Sequence, residues 1–291
     1  MRVMIFGPTG MLGHQLLKEA INRDYQIWAL SRSKPVSSFA AEALSHVNVQ
    51  WITPIDAIKH RDAIDEWIGE IHPDVMVNAA GLVKQAPGGE DMAELLPINA
   101  LFPRALQIMA LKWKTKLIHV SSDCVFDGQR GFYHETDVPN AHDAYGQSKI
   151  LGEVLGPYCL TLRTSIVGPE LSTKRGLYEW FRHQAPGRVH GFTRSIFSGV
   201  STVYLAHLIW DVAEQYPHLE GLFHVATEPI SKYDLLVLIR DTLNLRIRII
   251  PDSTVFCNRS LNPRKFFEAT GIMPPPWQEM VYDLARSSLI R

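Results

Sequence analysis

The feature that most constrains the fold of this chain is a strand, a glycine turn and a helix near its first residues. Residues 2–6 predict a short buried strand, and an apolar, helix-compatible run follows from Met11 to about Arg23. Between them Gly7, Gly10 and Gly13 are spaced Gly-x-x-Gly-x-x-Gly. Such glycines let the backbone turn tightly and let a pyrophosphate reach the helix N-terminus. A merely flexible turn is the alternative, but the preceding strand favours a dinucleotide-binding corner.

The alternation of buried strands and helices continues along the chain and predicts an α/β fold. A loop rich in proline and glycine is predicted at 84–97, over the pocket. Residues 187–199 and 251–276 are predicted to be inserted elements of a smaller, substrate-binding lobe. Further strands are predicted at 26–30, 47–52, 74–78, 116–121, 158–163 and 221–225, and helices at 62–70, 99–113, around Tyr145 and at 231–243.

This order of elements predicts a Rossmann-type doubly wound parallel sheet with a small C-terminal substrate-binding lobe. We assign residues 1–168 mainly to an NAD(P)-binding Rossmann domain and residues 169–291 mainly to the substrate-binding lobe. The chain is expected to return to the Rossmann sheet near residues 200–226.

Composition excludes several classes of function. The formal net charge of -1 gives no broad field for binding nucleic acid or an acidic membrane. No apolar stretch has the length of a signal peptide or a transmembrane helix. The three cysteines are widely spaced, which favours a reducing compartment, and none of the 12 histidines stands in a metal-binding pattern. We therefore expect a cytoplasmic protein without a metal site.

Tyr145 and Lys149 are four residues apart, which places them on one face of a helix, one turn from each other. A free phenol has a pKa of about 10, and an ammonium one turn away lowers it by stabilising the phenolate. Helices also carry this spacing by chance. Its weight here comes from Ser122, which follows a predicted strand. The Ser122 hydroxyl and the Tyr145 phenol could hold one substrate carbonyl while a nicotinamide delivers hydride.

The residue after the second predicted strand bears on the choice of cofactor. NAD-selective folds usually place an acid there to hold the ribose hydroxyls. This chain has Arg32 instead, between Ser31 and Ser33. A guanidinium pairs well with a 2′-phosphate, although an ordinary solvated arginine is the alternative. We predict NADP(H) as the preferred cofactor, with NAD(H) still admissible. The small residues after the strand at 74–78 leave room for a ligand across the sheet edge.

Several motifs together resemble those of the extended short-chain dehydrogenases/reductases, and within them the dTDP-4-dehydrorhamnose reductase (RmlD-like) family. The resemblance covers nearly the whole chain. It is most specific in Ser-Ser-Asp-Cys-Val-Phe-Asp-Gly at 121–128, Tyr-His-Glu-Thr-Asp at 133–137 and Tyr-Gly-Gln-Ser-Lys at 145–149, with further likeness at 78–80, 99–103 and 162–168. It implies that Ser122 holds the carbonyl oxygen, that Tyr145 donates the proton, and that Lys149 tunes the tyrosine and binds the nicotinamide ribose.

The resemblance also implies two sets of binding residues. Gly7, Gly10 and Gly13 would together line the pyrophosphate of the cofactor. The expected cofactor contacts are Gly7, Thr9, Gly10, Met11, Leu12, Ser31, Arg32, Asn78, Ala79, Ala80, Gly81, Tyr145 and Lys149. The expected substrate contacts are Val83, Ser122, Asp123, Cys124 and Tyr145.

The predicted activity is the NAD(P)H-dependent reduction of the 4-keto group of a nucleotide-activated 6-deoxysugar, and the resemblance makes a homodimer plausible. Cys124 stands where the rhamnose enzymes commonly have tyrosine, and residues 258–261 look more like the general epimerase/reductase pattern. One alternative is therefore a reductase or epimerase of another nucleotide sugar, such as a UDP-linked 4-keto-6-deoxy amino sugar. Another is a non-catalytic regulatory subunit of the same fold, such as the beta subunit of methionine adenosyltransferase.

Overall fold

A seven-stranded sheet is the main feature of the computed structural model, which describes residues 1–32 and 48–289. The sheet order is β11-β6-β5-β4-β1-β2-β3, and the pairings from β3 to β6 are all parallel. The strands of the described chain are β1 (Arg2–Phe6), β2 (Gln26–Leu30), β3 (Val49–Ile52), β4 (Val75–Asn78), β5 (Lys116–Val120), β6 (Cys159–Arg163), β7 (Ile166–Val167), β8 (Gly187–Phe192), β9 (Ser195–Phe197), β10 (Val200–Ser201), β11 (Gly221–His224), β12 (Ile230–Ser231), β13 (Ile247–Asp252) and β14 (Cys257–Asn258). The chain reverses its direction across the sheet between β1 and β4, where doubly wound folds bind ligands.

Helices follow most of the strands, as a parallel sheet requires. A five-residue π-helix, Pro97–Leu101, runs directly into α4, and a 3₁₀ turn, Asp123–Val125, follows β5. The α-helices are α1 (Gly13–Asn22), α2 (Arg61–Ile71), α3 (Met92–Leu96), α4 (Phe102–Trp113), α5 (Ala144–Gly152), α6 (Leu177–Arg182), α7 (Thr202–Gln215), α8 (Lys232–Thr242), α9 (Arg264–Thr270) and α10 (Trp277–Leu289).

The central strands are buried on both faces. Val3, Met4 and Ile5 of β1 have no exposed surface, and every residue of β4 is buried. Continuous apolar runs of this kind are typical of parallel strands covered by helices on both sides. On one face Met4 and Met76 pack with Ile64 of α2 and Leu106 of α4 in a single hydrophobic cluster. The Rossmann-type fold predicted from the sequence is therefore confirmed.

The prediction of an uninterrupted loop over residues 84–97 was wrong, because α3 lies inside it. The carboxylate of Asp91 accepts a hydrogen bond of 2.9 Å from the backbone N–H of Ala93 and caps this short helix. Pro97 then begins the π-helix directly after α3, and its missing N–H removes one hydrogen bond from the continuous helical backbone. Of the predicted third strand, Val47 lies outside the described residues, as does Ser33.

The helix α7 was not predicted as an element. Its residues from Leu205 to Ala213 are mostly buried, so the sequence lacks the clear polar face of an amphipathic helix. The indole of Trp210 is fully buried and donates a hydrogen bond of 3.1 Å to the backbone oxygen of Leu16 in α1. This contact fixes the helix against the first βα unit.

The described residues pack into two compact units. The first comprises Met1–Ser121, Asp143–Leu162 and Ala206–Leu222, and holds most of the sheet. The second comprises Ser122–His142, Arg163–Leu205 and Phe223–Arg291, and holds the smaller sheets, including the parallel pair β8 and β13. These units are defined by packing and not by what they bind, so the assignment of cofactor and substrate to residues 1–168 and 169–291 stays a prediction.

Candidate active site

The glycine turn between β1 and α1 is as tight as its sequence predicts. Gly7 has a φ of +79°, and a Cβ there would lie 2.8 Å from the Cα of Ala80. A Cβ on Gly13 would lie 1.8 Å from the backbone oxygen of Gly7. A Cβ on Gly10 would meet that same oxygen at an ordinary 3.4 Å. Gly13 thus serves close packing of the helix on the turn, and it does not line the crevice described below.

We expect Gly13→Ala to destabilise the protein by about 1–3 kcal/mol or more, because the new methyl group overlaps a backbone oxygen that cannot move freely. Urea unfolding followed by circular dichroism measures the effect. Gly10→Ala is the matched control, and its midpoint should stay near that of the wild type. Equal midpoints for the two variants would contradict this description of the turn.

A crevice of about 600 Å³ opens at the carboxyl ends of the strands in the first unit. This volume is typical of ligand sites, which measure about 300–1,000 Å³. Of the predicted cofactor residues, those that line it are Gly7, Thr9, Gly10, Ser31, Arg32, Ala79, Ala80 and Gly81. Met11, Leu12, Asn78, Tyr145 and Lys149 are not among its lining residues. The glycine turn and the crevice, whose lining includes Gly7, Gly10 and Gly81, fit a dinucleotide.

One wall of the crevice was not predicted, namely the connection from β3 to α2 at residues 55–59. The N–H of Ile55 donates a hydrogen bond of 2.9 Å to the oxygen of Ser31, which ties this connection to the end of β2. The Oδ1 atom of Asp56 accepts the N–H groups of Ile58 and Lys59 at 3.0 and 2.9 Å. These backbone hydrogen bonds, that of Lys59 first, lower the pKa of Asp56, so its carboxylate stays ionised at neutral pH.

Asn78 does not line the crevice, but its buried side chain holds a residue that does. Its side chain is fully buried, and its Oδ1 accepts a hydrogen bond of 3.1 Å from the N–H of Ala80. Its Nδ2 lies 3.1 Å from Nδ1 of His119 in β5. Burial, with the positive charges of Lys149 and Arg104, holds the pKa of His119 well below its usual range. A neutral His119 therefore accepts from Asn78 and fixes the turn that lines the crevice.

Asn99 in the π-helix connects the crevice to α5. Its amide exchanges two hydrogen bonds with the backbone of Leu82, at 2.9 and 3.0 Å. The same Nδ2 lies 3.0 Å from Oγ of Ser148. The sequence predicted a helix at 99–113 and showed a family likeness at 99–103, but neither observation assigned a role to Asn99. The π-helix is itself a signal, because such segments often mark functional sites.

Tyr145 and Lys149 lie one turn apart on α5, as predicted. The helix begins after Asp143, whose Oδ1 accepts the N–H of Gly146 at 2.9 Å. Lys149 is buried, and its Nζ donates a hydrogen bond of 2.9 Å to the backbone oxygen of Val120 at the end of β5. Tyr145 is partly exposed. The ammonium is thus anchored to the sheet on the same helix face as a phenol that a substrate can reach.

The second unit begins with the motif Ser122-Asp123-Cys124. The Ser122 hydroxyl accepts the N–H of Cys124 at 3.1 Å and lies 3.4 Å from Oδ1 of Asp123, to which it donates. Burial raises the pKa of the Asp123 carboxyl, against the opposing charge of Arg259. Burial also raises the pKa of the Cys124 thiol to about 12, so it stays protonated and is not a nucleophile. The remaining predicted substrate contact, Val83, belongs to the first unit and is exposed.

Comparisons with known proteins agree with this description of the fold. The model of the RmlD substrate binding domain family matches residues 1–288. A dTDP-4-dehydrorhamnose reductase of Aggregatibacter actinomycetemcomitans is 26% identical over 310 residues, covering 97% of this chain and 98% of the relative. Methionine adenosyltransferase 2 subunit beta of Danio rerio is 27% identical over 257 residues, and the match covers 84% of this chain and 74% of that relative. The structure of a dTDP-4-dehydrorhamnose reductase of Bacillus anthracis, solved in complex with NADP, matches with a TM-score of 0.80 at 20% sequence identity. The match covers 98% of this chain and 99% of that structure.

Proposed function

Because this chain belongs to the RmlD substrate binding domain family of extended short-chain dehydrogenases/reductases, we propose that it is an NAD(P)H-dependent oxidoreductase acting on a nucleotide sugar. The reaction is reduction of the 4-keto group of a nucleotide-activated 6-deoxysugar. One observation carries this proposal: Asn99 connects the wall of a glycine-turn crevice to the helix that bears Tyr145 and Lys149. A relative named dTDP-4-dehydrorhamnose reductase, matched over nearly its full length, supports the choice of substrate.

The crevice would hold the cofactor. Gly7 and Gly10 leave the backbone open to a pyrophosphate at the N-terminal end of α1, and Thr9 lies between them. Arg32 would meet a 2′-phosphate, so NADP(H) is preferred and NAD(H) is admissible. When bound, the nicotinamide supplies the hydride. Structures of this fold are solved in complex with NADP and with NAD, which is consistent with a site that accepts both.

The chain's own groups would manage the proton and the developing charge. Tyr145 would donate a proton to the oxygen of the former carbonyl, and the Lys149 ammonium would stabilise the phenolate that remains. Ser122 would donate a hydrogen bond to the same oxygen. Asp123, Cys124 and Val83 would contact the sugar. The support for these roles is the Tyr145–Lys149 spacing on α5, the hydroxyl at the start of the Ser122 motif, and the family likeness of both motifs.

A regulatory subunit of the same fold is the alternative of another class, since relatives include methionine adenosyltransferase 2 subunit beta. The presence of Ser122, Tyr145 and Lys149 together favours catalysis. NADPH oxidation measured with a panel of nucleotide 4-keto sugars tests the proposal, and a UDP-linked 4-keto-6-deoxy amino sugar belongs in that panel. Turnover of such a sugar alone would keep the chemistry and change the substrate.

We also propose that the protein forms a homodimer through an apolar stripe on α4 and α5. Leu101, the last residue of the π-helix, and Ile108 and Leu111 of α4 are each more than half exposed and follow one another at helical spacing. Leu151 and Leu155, equally exposed, adjoin this face, because Arg104 and Gln107 of α4 hydrogen-bond their backbone oxygens. Exposed apolar patches often mark the surfaces by which proteins associate. A twofold axis would pair this patch with the same patch of a second copy.

Ile108→Asp is expected to shift the dimer towards monomer, because an unpaired carboxylate would be buried at the centre of the interface. Sedimentation velocity at micromolar concentration measures the change. Val138→Asp, at an exposed position on neither helix, is the control and should remain dimeric. A monomeric wild type would overturn this proposal and leave the catalytic one intact.

Neither described range, 1–32 or 48–289, contains a helix with the length and hydropathy to cross a bilayer. Cys124, Cys159 and Cys257 are free thiols. The thiols support the reducing cytoplasm as the location that we propose.

A further inference from the structure

Two cationic side chains line the crevice. Arg32 follows β2, and Lys59 lies in the connection between β3 and α2. Both side chains are exposed, and neither is in an ion pair with any residue that the structure describes. Two cations that line one cavity outside any ion pair can both turn to a ligand that carries more than one negative charge.

The backbone holds Lys59 beside the end of β2. The hydrogen bond from Ile55 to Ser31 joins the two segments that carry Lys59 and Arg32. Asp56 then folds the connection into a turn by accepting the N–H of Lys59. The crevice has two acidic side chains in its lining, Asp56 and Glu94. The Oδ1 atom of Asp56 is bound to backbone N–H groups, and Glu94 belongs to α3 and packs beside Gly88.

We propose that Lys59 is a second cationic residue of the site that binds the 2′-phosphate of the cofactor, and that it contacts the phosphate from the side opposite Arg32. This inference rests on the proposed function and adds a specificity-determining residue to it. A phosphate monoester carries about -1.5 to -2 charges at pH 7, more than one monocation neutralises. The planar guanidinium of Arg32 suits two phosphate oxygens, and the Lys59 ammonium acts as a compact point charge on the third.

Calorimetric titration of the full chain with two nucleotide probes tests the inference. Adenosine 2′,5′-bisphosphate carries the 2′-phosphate, and 5′-AMP lacks it. Lys59→Gln is expected to weaken the bisphosphate about fivefold and leave AMP unchanged, at the scale of an exposed charge pair. Arg32→Ala should weaken the same probe, and the double variant should bind both probes alike. Arg61→Gln is the matched control, because Arg61 is an exposed cation two residues away that does not line the crevice.

Each result separates this inference from the proposed function. If Lys59→Gln prefers the bisphosphate over AMP as strongly as the wild type does, the role of Lys59 is overturned and that of Arg32 stands. A weakening of both probes by Lys59→Gln would assign the lysine to the nucleotide in general, and so would also overturn it. Equal binding of both probes by the wild type would remove the 2′-phosphate site, with Arg32 included. Binding of neither probe would overturn the dinucleotide site itself. An equal loss in Arg61→Gln would overturn the specific role of Lys59, because it would show a long-range charge effect instead of a contact with the phosphate.

Discussion

Tyr145→Phe is expected to lower turnover of the nucleotide 4-keto sugar by about 10²–10⁴-fold, the usual contribution of a positioned acid. The substitution removes one hydroxyl and keeps the ring, so α5 and its Asp143 cap should remain intact. Affinity for NADPH should stay near that of the wild type, because the variant keeps the ring and the Lys149 ammonium one turn away. Steady-state NADPH oxidation and a fluorescence titration with NADPH measure the two quantities.

A matched tyrosine gives the control for this prediction. Tyr282 lies on α10 with an exposed side chain, and Tyr282→Phe should keep full activity. If Tyr145→Phe turned over within a few-fold of the wild type, Tyr145 would not be the proton donor.

Lys149→Met should reduce turnover and NADPH affinity together. In the proposed mechanism the ammonium stabilises the phenolate of Tyr145, so its loss would raise the pKa of that tyrosine and slow proton donation to the substrate. Methionine has nearly the same length, so packing in this buried position is largely kept. Loss of a charged hydrogen bond to the ribose would weaken NADPH by roughly ten- to a hundredfold, from about 1.5–3 kcal/mol.

The pH dependence separates the two roles of Lys149. The pKa that governs loss of reduction at alkaline pH should move upward in Lys149→Met, because the phenol ionises less readily without the cation. Lys112→Met on α4 is the control, because the Lys112 ammonium pairs with Asp65 at the surface. This variant should keep both the NADPH affinity and the alkaline pKa of the wild type. Unchanged NADPH affinity in Lys149→Met would remove the ribose role, and an unchanged alkaline pKa would remove the effect on Tyr145.

The parts of the fold that could be predicted from the sequence are those fixed by local rules. The strand β1, the positive φ of Gly7 and the start of α1 depend on residues within one short segment. The pairing of Tyr145 with Lys149 is equally local, since helical geometry alone brings them together. Five-residue α3 was missed because its single strong signal is the cap at Asp91, within a stretch rich in proline and glycine.

The parts that could not be predicted depend on contacts between distant segments. Asn99 meets Leu82, His119 meets Asn78, and the 55–59 wall is tied to Ser31 by one backbone hydrogen bond. No spacing rule connects these residues, because strand order decides which of them become neighbours. A histidine within the apolar strand β5 and an asparagine in a π-helix become informative only once the sheet is assembled.

The product formed from dTDP-4-dehydrorhamnose by the purified protein with NADPH tests the proposed reductase activity. We predict that one NADPH is oxidised for each sugar nucleotide consumed, and that mass spectrometry finds a product heavier by two hydrogen atoms. The Tyr145→Phe variant should yield almost none of it in the same time. Absence of NADPH oxidation with this sugar and with every other nucleotide 4-keto sugar tried would contradict the account and assign the chain to the non-catalytic members of its fold.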